Sequence, residues 1–226
     1  MENVKVSVVI PAKNEAAAIR DIIKEAKKHA FEVLVIDGNS QDATRKIAEE
    51  EGAKVFQDSG TGKGKAVRLG IEKAQGDIIV LIDADGSHDA RDIPKLVAPI
   101  GLKDGADMVI GSRGKGGSDE LQGDIDKCIR LLGSIIINLL INLRWRQKLT
   151  DVQNGFRAIK ARVAKSLNLK ENITTIEQEM VMKSLKKGCK IAEIPSHEYE
   201  RKHGTSNIVL RKVWFRYIYS LAKNLF

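Results

Sequence analysis

Five apolar residues, Ile78 to Ile82, run straight into Asp83-Ala84-Asp85-Gly86. An apolar run of that length stopped by turn residues reads as a buried strand, so two carboxylates one residue apart stand at its exposed end. Hard oxygen donors at such a place suit Mg²⁺ or Mn²⁺ bridging a diphosphate. Aspartate also favours turns, and a pair of solvated turn aspartates explains the same spacing, so the motif alone leaves both readings open.

A second stretch, Gly60-Thr61-Gly62-Lys63-Gly64-Lys65, has the composition of a phosphate-cradling loop without its spacing. No glycine stands five residues before Gly62 or Gly64, neither lysine precedes Ser or Thr, and the G-x-G-x-x-G pattern also fails. A turn leading into a helix over Lys65 to Gln75 is the favoured reading. His88, His197 and His203 lack metal-ligand spacing, and His88 and His197 read as structural or surface residues. Nothing resembles a serine nucleophile elbow or a Cys-His pair. Cys128 and Cys189 form no C-x-x-C, which argues against zinc and against a redox pair.

These groups need a frame. Val6 to Ile10, Glu32 to Asp37, Lys54 to Gln57, Asp77 to Ile82 and Met108 to Ile110 read as buried strands. Between them Glu15 to His29, Asp42 to Glu51, Lys65 to Gln75 and Asp92 to Ile100 read as helices. Strands alternating with helices predict an α/β domain with a mostly parallel central sheet covered on both faces, binding ligands beyond the carboxyl ends of its strands. Asn14, Glu15, Asp37, Asp83 and Asp85 all fall at that edge. Gly111 to Gly123 reads as a flexible loop and subdomain boundary. Beyond it come an apolar helix from about Asp126 to Leu143, a mixed segment over Asp151 to Ile159, a helix over Ile176 to Lys187, a strand over Lys190 to Pro195, and a final helix.

The chain has 226 residues, 42% of them hydrophobic, and a formal net charge of +8. It is long enough for one domain that buries roughly 70% of its unfolded surface. The charge is unevenly divided: residues 1–120 carry a net −3 and residues 121–226 a net +11. A basic half suits nucleic acid, an anionic membrane surface or a phosphorylated substrate. No secretory leader is legible at Met1, and no apolar run reaches the ~18 residues of a membrane span, so the expected place is the cytoplasmic face of a membrane, peripherally bound. Ile129 to Leu143 is nearly apolar all round, ends in Arg144-Trp145-Arg146, and fits a core helix or an interfacial one. In the last helix Leu210, Val213, Trp214, Tyr217, Ile218, Leu221 and Leu225 form one stripe, with Arg211, Lys212, Arg216 and Lys223 off it. Aromatic and cationic side chains on one amphipathic helix fit a membrane headgroup region and tip the balance toward the interface.

The sequence resembles the family 2 glycosyltransferases, and within them the polyprenyl (dolichyl) phosphate sugar synthases. The resemblance is carried, in family order, by Val8 to Glu15, Val35 to Thr44, Asp83-Ala84-Asp85-Gly86-Ser87-His88, Gly111-Ser112-Arg113, Asp151 to Arg157, and Arg201 to Ser206. It implies the nucleotide-sugar transferase (GT-A, Rossmann-like) fold as a single domain, with the first half holding the nucleotide sugar and the metal and the second half facing acceptor and membrane. Pro11, Lys13 and Glu15, with Val35, Asp37 and Ala84, would hold the nucleoside. Asp83 and Asp85, with Ser87 at the third ligand position, would hold Mg²⁺ or Mn²⁺ on the donor diphosphate. Arg113, Arg130 and Arg201 would face the phosphates, including that of the lipid acceptor.

The chemistry so implied is inverting transfer of one sugar from a nucleotide-sugar donor to dolichyl or polyprenyl phosphate. Three departures bear on the donor. Gly38 replaces a second Asp of a common Asp-Asp-Gly-Ser, Ser87 replaces a Gln of the mannosyl enzymes, and Asn207 replaces their usual Lys. UDP-glucose, UDP-N-acetylglucosamine and GDP-mannose therefore all stay open. The alternative is a soluble glycosyltransferase or nucleotidyltransferase acting on a small phosphorylated acceptor. A nucleic-acid partner is not expected, because no groove-reading motif is present and the two aspartates would be unexplained. A separate anchoring protein and a homo-oligomer are both compatible with the apolar segments.

Overall fold

The computed structural model describes residues 4–102, 104–119, 125–201 and 210–225, with backbone alone at 125–128, 130 and 210–213. Its strands are β1 (Val6–Ala12), β2 (Glu32–Asp37), β3 (Lys54–Gln57), β4 (Ile78–Leu81), β5 (Met108–Ser112), β6 (Arg157–Lys160) and β7 (Ile191–Pro195). They form one seven-stranded sheet in the order β3-β2-β1-β4-β6-β5-β7. The pairs β1–β2, β2–β3, β1–β4 and β5–β7 are parallel, whereas β6 runs antiparallel to both β4 and β5.

Helices cover both faces, as the unbroken apolar strands require. Alternate strand residues Val8, Ile10, Val33, Val35, Val80 and Val109 pack with α1 (Ile19–Ala26), α2 (Thr44–Glu50) and α4 (Ile93–Val97). Val9, Leu34, Ile36, Ile79, Met108 and Ile159 face the other way, toward α3 (Lys63–Lys73), α6 (Ile125–Trp145), α7 (Ala161–Ser166), α8 (Ile176–Lys186) and α9 (Leu210–Leu225).

Besides the short helices at Arg113–Gly116 and Ala161–Ser166, the element absent from the sequence reading is the strand β6. Arg157 interrupts the apolar pattern there, yet it is fully buried. Its guanidinium donates to the main-chain carbonyls of Asn154 (3.0 Å), Glu177 (3.0 Å) and Val152 (3.1 Å), which satisfy it without an ion pair. Because β6 is antiparallel, its first residue lies beside the last of β4, with Leu81 opposite Arg157. Asn154 and Gly155 are thereby delivered to the edge where the parallel strands end.

Two further expectations change. Helix α1 begins at Ile19 rather than Glu15, because Thr44 Oγ1 accepts from the Glu15 amide (2.7 Å) and Asp42 from the Ala16 amide (3.1 Å). Those tertiary bonds hold residues 15–18 in a turn and set Glu15 at the strand edge. The expected flexible loop at Gly111 is ordered as far as the description reaches. β5 continues to Ser112, α5 (Arg113–Gly116) follows, and Ser118 bridges to Glu198. Gly111 and Gly116 are there for close approach, since a Cβ on either would stand 2.9 Å or 2.4 Å from Ser196 atoms.

Helix α6 lies on the surface. Ile137 and Ile141 face the core, while Ile129, Leu132, Ile135, Ile136, Leu139 and Leu143 are exposed, Leu143 by 68%. The single stripe expected on α9 is divided. Leu221, Leu225 and Tyr217 pack against the core, whereas Trp214 and Ile218 of the same stripe are exposed together with Phe215 and Tyr219. The helix packs on α8 and α6, and Trp214, Phe215, Ile218 and Tyr219 are left outside that contact.

Candidate active site

The carboxyl ends of β1, β2, β4, β5 and β7 and the start of β6 converge on one edge, and the chemistry-bearing residues collect there. Asp83 follows β4. Its Oδ1 lies 2.6 Å from Lys63 Nζ, and the same ammonium lies 2.8 Å from Glu177 Oε1. Burial alone would raise the Asp83 pKa, but the adjacent Lys63 overrides it and holds the carboxyl below the usual carboxylate range. Burial likewise opposes the charge on Lys63, and Asp83 and Glu177 outweigh it, so its pKa is raised. Gly155 makes this possible, since a Cβ there would lie 2.6 Å from Lys63 Nζ and 2.7 Å from Asp83 Oδ2. A cavity of about 10 Å³ beside the pair is lined by Pro11, Arg157 and Glu177, among others.

Asp85 is buried. Its Oδ1 accepts from the Ser87 amide (3.0 Å) and hydroxyl (2.7 Å), while Oδ2 lies 3.2 Å from Arg201. Ser87 thus orients Asp85, and its own carbonyl accepts from Tyr199 N. Glu15 completes the acidic group. Its partial burial and then the negative charge of Asp85 push its pKa up to about 7. The donor set fits a hard divalent ion, with carboxylate oxygens of Asp83 and Asp85 one residue apart in the segment after β4. Among the described residues no three His, Cys, Asp or Glu side chains form a ready-made metal cluster.

Arg113 leaves the end of β5 in a full set of contacts. Asp151 accepts from its amide (3.0 Å), Nε (2.6 Å) and Nη2 (2.8 Å), and Glu198 accepts from Nη1 (3.1 Å). Burial disfavours the charge, but Asp151 and Glu198 outweigh it and raise the pKa. Both carboxylates are buried. Such bidentate geometry locks a guanidinium plane more firmly than a lysine could.

The other expected residues fall in different places. Pro11 lies at the end of β1, Lys13 is exposed beside Gly38, and Asp37 is buried with its carboxylate accepting from Ser40 N (3.3 and 3.2 Å). Ala84 turns its side chain into the core. Val35 lies two residues inside β2, fully buried and paired with Ile10 and Val55, so its side chain builds the wall behind the site. Arg130 belongs to α6, but its side chain, like all of residues 202–209 with His203 and Asn207, lies outside the described residues. His88 is buried and stacked on Phe156 at 5.2 Å, and burial lowers its pKa. His197 bonds to the Gly116 carbonyl (2.9 Å) and Asp119 (3.0 Å).

Sequence reasoning missed Lys63, Glu177, Glu198 and the pairing role of Asp151. The Gly-Lys stretch was the available signal for Lys63. Its place is set by Gly62, whose φ of 138° lets α3 start directly at the lysine.

The family model "Glycosyl transferase family 2" matches residues 7–167. The glycosyltransferase AglJ of Haloferax volcanii is 36% identical over 202 residues, which are 88% of this chain and 65% of that protein. The chain therefore spans about two thirds of that relative's length. A UDP-N-acetylglucosamine–dolichyl-phosphate N-acetylglucosaminyltransferase of Methanococcus voltae is 27% identical, with 92% of each chain covered. Among solved structures, glucosyl-3-phosphoglycerate synthase from Mycobacterium tuberculosis, in complex with Mn²⁺, UDP and glucosyl-3-phosphoglycerate, superposes with a TM-score of 0.77. It is 23% identical and covers 99% of this chain and 80% of its own, a likeness of fold.

Proposed function

This chain belongs to glycosyl transferase family 2 and has the GT-A fold, and from that premise we propose that it moves one sugar from a nucleotide-sugar donor to a polyprenyl (dolichyl) phosphate. The observation that carries this reading is a juxtaposition. The acidic edge around Asp83 and Asp85 adjoins Arg113, and the turn that holds Arg113 is packed on α6, whose outer face is exposed and apolar. Arg144 and Arg146 at the end of α6, and Arg216 and Lys223 on α9, supply cations next to that face. Exposed Trp, Tyr, Leu and Ile with such a rim suit a lipid headgroup region. No helix among the described residues is long and apolar enough to cross a membrane, so the association is proposed as peripheral. The Methanococcus voltae relative bears the name of a transferase to dolichyl phosphate.

The residues suit the reaction. A phosphate acceptor is anionic near neutral pH, so it needs cationic positioning rather than a general base. Its oxygen attacks the anomeric carbon as the bond from that carbon to the diphosphate breaks, and the bonding pair leaves on the nucleoside diphosphate with inversion. Arg113 and Arg201 face the phosphates, and Arg130 is the third cation the family resemblance assigns to them. Asp83 and Asp85 would hold Mg²⁺ or Mn²⁺, which would neutralise charge on the diphosphate. Pro11, Lys13, Glu15 and Asp37 border the nucleoside.

The test is to incubate the protein with polyprenyl phosphate and each of UDP-glucose, UDP-N-acetylglucosamine and GDP-mannose, and to weigh the lipid product. A glycosylated lipid phosphate is expected from one donor. Transfer to a small phosphorylated acceptor in its place, with no lipid product, would overturn the lipid reading.

A further inference from the structure

Ser134, Asn138 and Asn142 recur every four residues in α6, within a stretch from Leu131 to Leu143 that is otherwise Ile and Leu apart from Gly133, so they share one face. Asparagine is a weak helix former whose amide competes for backbone partners, so two of them inside an apolar helix need a compensating contact. The contact is the turn at residues 149–152. Asn142 takes both main-chain groups of Leu149, donating to the carbonyl (2.7 Å) and accepting from the amide (2.9 Å). Asn138 donates to the Thr150 carbonyl (2.7 Å) and accepts from the Val152 amide (3.1 Å). The Ser134 hydroxyl bonds Gln153.

From the opposite side Glu193 of β7 accepts from the amides of Thr150 (2.8 Å) and Asp151 (2.9 Å). Residues 149–152 belong to no helix or strand. Their backbone groups are satisfied mainly by side chains of α6 and β7, with Arg157 of β6 on the Val152 carbonyl, so the position of the turn is tied to those elements. The turn carries Asp151, which holds the guanidinium plane of Arg113.

We propose that Asn138 and Asn142 are positioning residues through which the seating of α6 sets the Arg113 geometry. The proposal rests on the reading that the outer face of α6 lies on the lipid surface carrying the acceptor. Leu132, Ile136, Leu139 and Leu143 project from the flank of α6 away from the asparagine row. A helix pressed on a lipid surface by those residues carries Leu149 to Val152 with it, and Asp151 and Arg113 after them. Glu193 protects the Thr150 and Asp151 amides from β7, so the amides of the turn whose protection depends on α6 are those of Leu149 and Val152.

Hydrogen exchange with residue resolution tests this. In the protein with Asn138→Ala and Asn142→Ala, the amides of Leu149 and Val152 are expected to exchange about tenfold faster or more, while those of Thr150 and Asp151 stay protected by Glu193. In the wild type, vesicles of equal phosphatidylglycerol and phosphatidylcholine are expected to slow exchange at Leu149 and Val152, and the double variant is expected to float with vesicles but lose that response. Its KM for polyprenyl phosphate should rise about tenfold with UDP binding unchanged. The wild-type arm needs no variant to fold. Wild type that floats with vesicles yet shows unchanged exchange at Leu149 and Val152 overturns the coupling, as does an unaltered acceptor KM in the double variant. Wild type that fails to float overturns the lipid-surface reading itself.

Discussion

Lys63 and Asp83 form an ion pair at 2.6 Å across the opening between α3 and the end of β4, and Glu177 on α8 shares the same ammonium at 2.8 Å. The pair explains two glycines. Gly62 starts α3 directly on the lysine, and Gly155 leaves the room in which lysine and aspartate meet. Asp83 thus approaches any ligand with its charge already half answered.

Replacing Lys63 by Met should leave Asp83 and Glu177 close together without their shared cation. Breaking one partner from a buried ion pair costs about 3 kcal/mol, so urea unfolding should show a loss of that order. Glu177→Gln should cost less, because Lys63 keeps Asp83. A Lys63→Met protein as stable as wild type would mean that solvent screens the trio.

Asp85 is held by Ser87 and Arg201 and anchors the proposed metal site. Asp85→Ala is expected to lower sugar transfer on the order of 10²–10³-fold with the circular dichroism spectrum retained, and EDTA should do the same to wild type. Undiminished product formation in either case, followed by mass, would remove Asp85 and the ion from the chemistry.

Glu15 gives a pH signature. Burial and Asp85 push its carboxyl from 4.5 up to about 7 in the folded chain. Between those values the native state keeps a proton that the unfolded state has lost, so this group's contribution to stability falls as pH rises. Glu15→Gln removes the loss. The variant's melting temperature relative to wild type should therefore climb between about pH 5 and about pH 8, and a flat difference would contradict the upward shift.

The exposed face of α6 can be tested without touching the site. Leu132 and Leu139 are more than half exposed, so Leu132→Glu with Leu139→Glu should change stability by no more than about 0.5 kcal/mol per site. The same pair should abolish flotation with anionic vesicles, since each apolar side chain moved out of water contributes about 1.5–3 kcal/mol. Flotation equal to wild type would exclude this face as the lipid contact.

The parallel half of the sheet was legible because its strands are unbroken apolar runs ended by acidic or turn residues. The bounds of β2 and β3 are those expected. The aspartates of the site were visible for the same reason. What stayed hidden depends on residues far apart in the chain. Lys63 looked like part of a turn because its partners, Asp83 and Glu177, come from β4 and α8. Arg113 stood out in Gly-Ser-Arg, but neither carboxylate that fixes it adjoins it in sequence. β6 escaped because a four-residue strand containing a buried arginine has no apolar period to read.

The antiparallel β6 between β4 and β5 also bears on how the chain reaches its native state. β4 and β6 meet across a separation of ~80 residues, and until they do, β4 has one edge unpaired and Asp83 has no neighbour at Gly155. Pairing over such a distance is slow, and an open strand edge invites association with other chains meanwhile. A fragment stopping before Arg157 would therefore carry both aspartates and still lack the strand that closes the sheet around them.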